Sequence, residues 1–236
     1  VKILALESSA VAASVCVSED EALIAQSFQR TGLTHSATLM PMLEDLLKNA
    51  ALTLEEMDVI AVAAGPGSFT GLRIGIATAK GLAWPGDKPC AGVSTLEAMA
   101  WQLIGMEGMV CAAMDARRGQ VYNALFELRD GIPVRRTPDR AISVEELMGE
   151  VRQMEKPQIV VGDGAHLCYN AFQELDSPVH MAPPHLRFQT AWGVARAALE
   201  QARQGRLTDA AGLTPSYHRL SQAERERLAK RSERGS

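Results

Sequence analysis

The chain has 236 residues, 47% of them hydrophobic and 22% charged, with a formal net charge of −4. That length and mix provide a real core for one large domain or two small ones, and the negative balance argues against sequence-blind binding of nucleic acid through the body of the protein. No apolar run reaches the ~18 residues of a membrane span. Cys16, Cys90, Cys111 and Cys168 stand singly, as small buried hydrophobes do, with no zinc or disulfide spacing.

In chain order, residues 2–6, 12–17 and 22–28 read as three strands, the first two joined by the polar turn Glu7-Ser8-Ser9-Ala10. The chain opens on Val1-Lys2-Ile3-Leu4-Ala5-Leu6, a strand and not a signal-peptide pattern, so a cytoplasmic location is expected. A helix over Thr34–Ala51 follows, then the apolar run Val59–Ala64 into Gly65-Pro66-Gly67. Ser68 or Thr70 caps a second helix to Ala83; a short strand at Cys90–Val93 and a helix from Thr95 complete the half.

The pattern then recurs. Met109–Met114 and Gln120–Leu128 read as strands joined by Asp115-Ala116-Arg117-Arg118-Gly119, with Val134–Ile142 as a third. Ser143 caps a helix to Met154, Gln158–Val161 runs into Gly162-Asp163-Gly164, and helices follow at 165–175 and 190–204 across a Pro-rich connection at 177–184. Two βββαβα halves predict a duplicated α/β fold of two lobes flanking a cleft, each with a mixed five-stranded sheet. The lobes are expected at 1–105 and 106–220, with a charged tail at 221–236.

The stretch Gly65-Pro66-Gly67-Ser68 has two readings. A tight strand–turn–helix turn exposes helix N-terminal N–H groups to a cleft, so Gly65, Gly67 and Ser68 are candidate nucleotide contacts. Neither phosphate fingerprint fits: no Gly-Lys-Ser/Thr follows, and Gly71 falls one position late for G-x-G-x-x-G. Gly71, Gly75 and Ala79 recur every four residues, which equally describes a helix packed closely on a neighbour. Glu7 and Asp115, each at the end of the first strand of its half, are the candidate acids of a two-lobed phosphotransferase or ATPase, where they would hold a nucleotide's magnesium. The five histidines give no H-x-x-x-H pair, and no nucleophile–base set assembles from spacing. Arg117 and Arg118 beside Tyr122, and the tail residues Arg225, Arg227, Lys230, Arg231 and Arg234, read either as phosphate contacts or as solvated surface charge.

The Thr34–Ala51 helix carries more apolar surface than a core needs. At ~100° per residue its Leu and Met side chains sweep an arc of about 160°, against a stripe of ~100°. The surplus around Met40 and Leu47 points either to a partner helix or to a crevice between the lobes.

Four segments carry a resemblance: Ile3-Leu4-Ala5-Leu6-Glu7-Ser8-Ser9, the run Gly65 to Gly75, Asp115 to Tyr122, and Pro215-Ser216-Tyr217-His218-Arg219. Together they resemble the TsaB (YeaZ) family of tRNA threonylcarbamoyladenosine (t6A) biosynthesis proteins. That resemblance implies the ribonuclease H-like, actin/Hsp70/hexokinase (ASKHA) fold. It also implies a non-catalytic subunit that activates its paralogue TsaD, with the ATPase TsaE completing the assembly that modifies N6 of tRNA adenosine 37. The paralogue's metal-binding His-x-x-x-His falls here on Thr95 and Met99, with Glu97 remaining between them; thioether and hydroxyl replace imidazole poorly. The resemblance thus implies no catalytic residue, cofactor or metal in this chain, with ATP and metal at the TsaD partner and tRNA met only through the complex. It implies pairing with TsaD, or with a second copy, through the first helix, at His35, Leu39, Met40, Leu43, Leu46 and Leu47. The alternative is a nucleotide-binding ASKHA phosphotransferase or ATPase.

Overall fold

The N-terminal half pairs its apolar runs into one mixed sheet. The computed structural model describes residues 1–130, 132–154 and 156–218. The strands are β1 (Lys2–Glu7), β2 (Ala13–Glu19), β3 (Ala22–Gln29), β4 (Val59–Gly65) and β5 (Cys90–Ser94), in the order β3-β2-β1-β4-β5. The hairpin pairs are antiparallel, with Leu4 opposite Val17, whereas β1–β4 and β4–β5 are parallel because a helix intervenes in each connection. Those helices are α1 (His35–Asn49) and α2 (Phe69–Ala83), and α3 (Thr95–Trp101) follows β5.

The second half repeats the topology. Strands β6 (Gly108–Asp115), β7 (Gln120–Arg129), β8 (Ile132–Arg135), β9 (Arg140–Ser143), β10 (Gln158–Val161) and β11 (Val179–Met181) form a sheet ordered β11-β10-β6-β7-β8, with β9 also on β7. Here the structure corrects two expectations. The third strand expected over Val134–Ile142 is two strands, β8 on Phe126–Arg129 and β9 on Gln120–Asn123, so this sheet has six strands and not five. Between them the chain detaches around Pro138, which has no N–H for a ladder, and the Thr137 hydroxyl takes the Leu125 N–H at 2.8 Å. The Pro-rich connection, expected as loop, supplies β11, parallel to β10. Helices α4 (Val144–Val151), α5 (Ala165–Phe172) and α6 (Ala191–Arg203) complete the fold, α4 opening on a capping box between Ser143 and Glu146. The tail expected at 221–236, and Arg219, lie outside the described residues.

Each sheet is covered on both faces. On the first, Leu4, Leu6, Val15, Val17, Ile60 and Val62 pack under α1 and α2. The opposite face, Ile3, Ala5, Val59, Ala61 and Ala63, is covered by α6, from the far end of the chain. On the second sheet α3 covers Val110, Ala112, Phe126 and Leu128, while α4 and α5 cover Cys111, Val121 and Leu125. Helices α3 and α6 therefore lie between the sheets, and they cross closely: a methyl at Gly193 would collide with the Ala98 carbonyl.

Helix α1 directs Leu39, Met42, Leu43 and Leu46 into the core and leaves Met40 36% exposed. Its Pro41 sits on the outer face, where Ala37, the residue one turn back, is exposed. Leu39→Ala is expected to lower stability by ~2–5 kcal/mol through the cavity it leaves, and Met40→Ala by less than ~1 kcal/mol. Urea unfolding of both variants checks the contrast; equal losses would contradict this orientation of the helix.

Candidate functional site

Between the two halves lies a cleft of about 420 Å³. One wall is the turn after β4 with the start of α2, including Gly67, Ser68 and Phe69. The other is the end of β6 with Asp115, the Gly162–Gly164 turn with Asp163, and the hairpin residues Arg117 and Tyr122; the C-terminal segment 216–218 closes one side.

The glycine turn is filled by the chain itself. The Ser68 N–H donates to the Ser9 carbonyl at 2.6 Å, and the Ser8 hydroxyl donates to the Gly71 carbonyl at 2.9 Å. A methyl group at Gly67 would strike Ser9, and one at Gly71 or Gly75 would strike Ser8. Gly65, at φ +126°, takes a shape that disfavours other residues, and its Cα faces the Ser216 carbonyl. The Ser68 side chain caps α2 by accepting the Gly71 N–H at 3.3 Å. These glycines therefore give backbone room for the residue 7–9 turn. The Gly71–Gly75 stripe lies against Ser8 in the interior, the close packing its four-residue spacing describes.

Of the two strand-end acids only Asp115 lines the cleft, beside Asp163, a third acid that spacing did not single out; Glu7 lies behind the lining. Glu7 is fully buried; its Oε1 accepts the Ser9 N–H at 2.6 Å and its Oε2 has no partner. Burial, with a smaller contribution from the charge of Asp163, pushes its carboxyl up to about 7. Asp163 is raised by burial as well, opposed by the Gln189 side-chain amide that donates to it at 3.0 Å. Asp115 accepts the Arg117 N–H at 2.7 Å. The missed signal was the Gly-Asp-Gly turn, which ends β10 as Glu7 and Asp115 end β1 and β6. Among the described residues no group of three His, Cys, Asp or Glu side chains is arranged to hold a metal ion. All four cysteines are buried and free.

Thr95 and Met99 are both fully buried, Met99 in the core between α3 and the second sheet. Glu97 forms an ion pair with Arg135 at 3.0 Å, and Arg135 also holds Asp139 at 2.5 Å. Of the six residues expected at a partner surface, Leu39, Leu43 and Leu46 are corrected to interior positions, because α1 must cover its own sheet with them. Leu47 is half-buried against the same core, His35 is anchored by its Nε2 to the Ala10 carbonyl at 2.7 Å, and Met40 remains at the surface.

The family model for TsaD, described as a tRNA N6-adenosine threonylcarbamoyltransferase, matches residues 29–227. The tRNA threonylcarbamoyladenosine biosynthesis protein TsaB of Escherichia coli is 35% identical over 69% of this chain and 71% of its own length. The chain belongs to the TsaB (YeaZ) family. The TsaB of Bacillus subtilis is 29% identical over 94% of the chain and 96% of that protein. Among solved structures, YeaZ from Pseudomonas aeruginosa superposes with a TM-score of 0.78 at 25% identity, covering 92% of this chain and 99% of that one. The fold extends to component A of the Acidaminococcus fermentans (R)-2-hydroxyglutaryl-CoA dehydratase, with a TM-score of 0.52 at 12% identity over 86% of this chain and 99% of that one. The duplicated ASKHA architecture read from the sequence is thus the fold of the chain.

Glu7 gives a pH test. Its folded-state pKa of about 7 lies above the usual 4.5, so the folded chain keeps a proton that the unfolded chain has lost. Its contribution to stability is full below pH 4.5, falls as pH rises towards 7, and is flat above. Glu7→Gln, which keeps the acceptor for Ser9, is expected to stabilise the chain at pH 8 by up to about 3 kcal/mol, with little gain at pH 4.5. Urea unfolding at the two pH values decides it; a gain independent of pH would remove burial of the charge as the cause.

Proposed function

We propose that this chain is a non-catalytic subunit that holds a TsaD paralogue in its active conformation. As a TsaB-family member it has a role in tRNA threonylcarbamoyladenosine biosynthesis; the activating role is the finer reading. The observation that carries it is the burial of Thr95 and Met99 where the resemblance implies the paralogue's two metal ligands. Met99 packs α3 onto the second sheet and Thr95 is buried at the helix start, so neither presents a ligand to solvent. On this reading ATP and metal belong to the TsaD partner, TsaE joins the assembly, the site of action is the cytoplasm, and a second copy of this chain competes for the same surface.

The pairing surface is the outer side of α1 around Met40 and Leu47. Leu33, in the segment entering the helix, is exposed at 64% and adds apolar area. Purified chain combined with the paralogue tests the role: tRNA modification that proceeds without this chain overturns it. Met40→Glu tests the surface, since Met40 takes little part in the core. The expected result is an unchanged thermal midpoint and assembly weakened about tenfold or more; unimpaired assembly rejects this face as the contact.

The alternative, an ASKHA phosphotransferase or ATPase, draws on Asp115 and Asp163 in the cleft lining, with Glu7 buried near enough to feel the charge of Asp163. Saturable, magnesium-dependent binding of ATP to the isolated chain, abolished in Asp115→Asn, would favour it.

A further inference from the structure

The mouth of the interlobe cleft differs in character from its floor. The floor carries Asp115 and Asp163; the rim carries cations and aromatic rings. Phe69, the first residue of α2, stacks on Tyr217 with centroids 4.6 Å apart and planes 25° from parallel. Arg73, one turn further along α2, lies over the Phe69 ring at 3.8 Å, and its Nε donates to the Tyr217 hydroxyl at 3.1 Å. Each of the three side chains thus touches the other two, so the Tyr217 ring is fixed in place while 42% exposed. A ring held this way loses little freedom when a ligand settles on it.

At the hairpin on the other side of the cleft, Arg117 and Arg118 stand at φ +67° and +57°, followed by Gly119 at +70°. The turn is held by the Arg117 N–H on Asp115 and by the Gln120 N–H on the Arg117 carbonyl at 3.2 Å. Both arginine side chains are exposed. Arg117 has Asp115 at 3.7 Å, and Arg118 has no ion pair among the described residues. Neither the basic hairpin nor the aromatic triangle has a part in the pairing surface on α1 or in the core.

We infer that this rim is a contact surface for single-stranded RNA. An unpaired base stacks on Tyr217, and the flanking phosphates meet Arg117, Arg118 and Arg73. The inference rests on the reading that the chain works in tRNA modification, and it specifies which surface touches the RNA. Unpaired bases are recognised by stacking on aromatic rings and guanidinium planes, combined with cationic contacts to the backbone. The charge layout fixes the orientation: carboxylates at the floor repel phosphate and accept N–H groups from a base, while the arginines at the rim attract phosphate. With a net charge of −4 over the whole chain, attraction to RNA is local to this rim and not a property of the molecular surface. An acidic protein segment would use the arginines but would leave the fixed, exposed ring without a role.

The test uses the full chain and a fluorescein-labelled anticodon stem–loop of an unmodified tRNA, with anisotropy read across a series of salt concentrations. Tyr217→Ala is expected to weaken binding about tenfold, whereas Tyr217→Phe, which keeps the ring, stays within about twofold. Arg118→Ala is expected to lower the slope of log affinity against log salt by about 0.7. A blunt duplex without a loop should compete poorly. Thermal melts of the three variants identify any loss that arises from unfolding, and the Phe variant then carries the comparison. Absence of stem–loop binding up to ~100 μM overturns the inference, even if the same chain supports tRNA modification with its paralogue, in which case the functional reading stands. Normal RNA binding by Tyr217→Ala, with assembly with the paralogue impaired instead, makes the rim a protein contact and also overturns it. Loop-dependent, ring-dependent binding by a chain that fails to support modification supports the RNA surface and counts against the functional reading alone.

Discussion

One hydrogen bond organises the centre of the molecule: the Ser9 carbonyl accepting the Ser68 N–H at 2.6 Å. It seats the residue 7–9 turn on the N-terminus of α2, close enough that backbone meets backbone. From that seating follow the glycines at 67, 71 and 75, the burial of Glu7 beneath the cleft, and the position of Ala10, whose carbonyl holds His35 at the start of α1. Separating the two would strand buried polar groups, each costing ~1–3 kcal/mol without a partner. The cleft wall is rigid because the turn and the helix start are locked together.

The same seating explains a motif that invites a phosphate-binding reading. A glycine turn opening a helix usually exposes N–H groups to a ligand; here a neighbouring carbonyl takes one of them and a serine side chain caps another. The cleft keeps its acids and its volume. Thr95 and Met99 are both buried on α3, Met99 in the packing between α3 and the second sheet. At the rim, Arg73, Phe69 and Tyr217 hold one another in a fixed cluster.

The repeat of strands and helices was legible in the sequence because apolar periodicity and turn residues coincide: Ser143 with Glu146 at α4, Ser68 at α2, and glycine at the ends of β4 and β10. The split of β8 from β9 was not, since Val134–Ile142 has ordinary strand composition and only Pro138 marks the break. Nor was the burial of Leu39, Leu43 and Leu46 separable from that of Met40 and Leu47. An apolar arc gives the width of a helix face and leaves open how much of it the chain's own sheet covers. The Phe69–Tyr217 stack escaped notice because it joins residues distant in sequence and has no local pattern, whereas Asp163 lay in the legible Gly162–Gly164 turn without being read as an acid. The Gly71–Gly75 stripe was legible as close packing, but its neighbour, Ser8 on β1's trailing turn, was not.

The placement of α6 has a consequence for how the chain reaches this fold. The helix that covers Ile3, Ala5 and Ala61 is Ala191–Arg203, so the strands of the first sheet are completed by a segment far along the chain. During synthesis one face of the first sheet stays open to water until α6 has emerged, although α1 and α2 already cover the other. Contacts of such large sequence separation form slowly and leave apolar surface uncovered in the interval. The Ala- and Gly-rich face of α6 suits a late arrival: small side chains slide into a slot already shaped by α3 and the sheet, with little repacking of what is there. The first sheet is therefore closed by α6, and an N-terminal half produced alone would display an apolar sheet face as a site for aggregation.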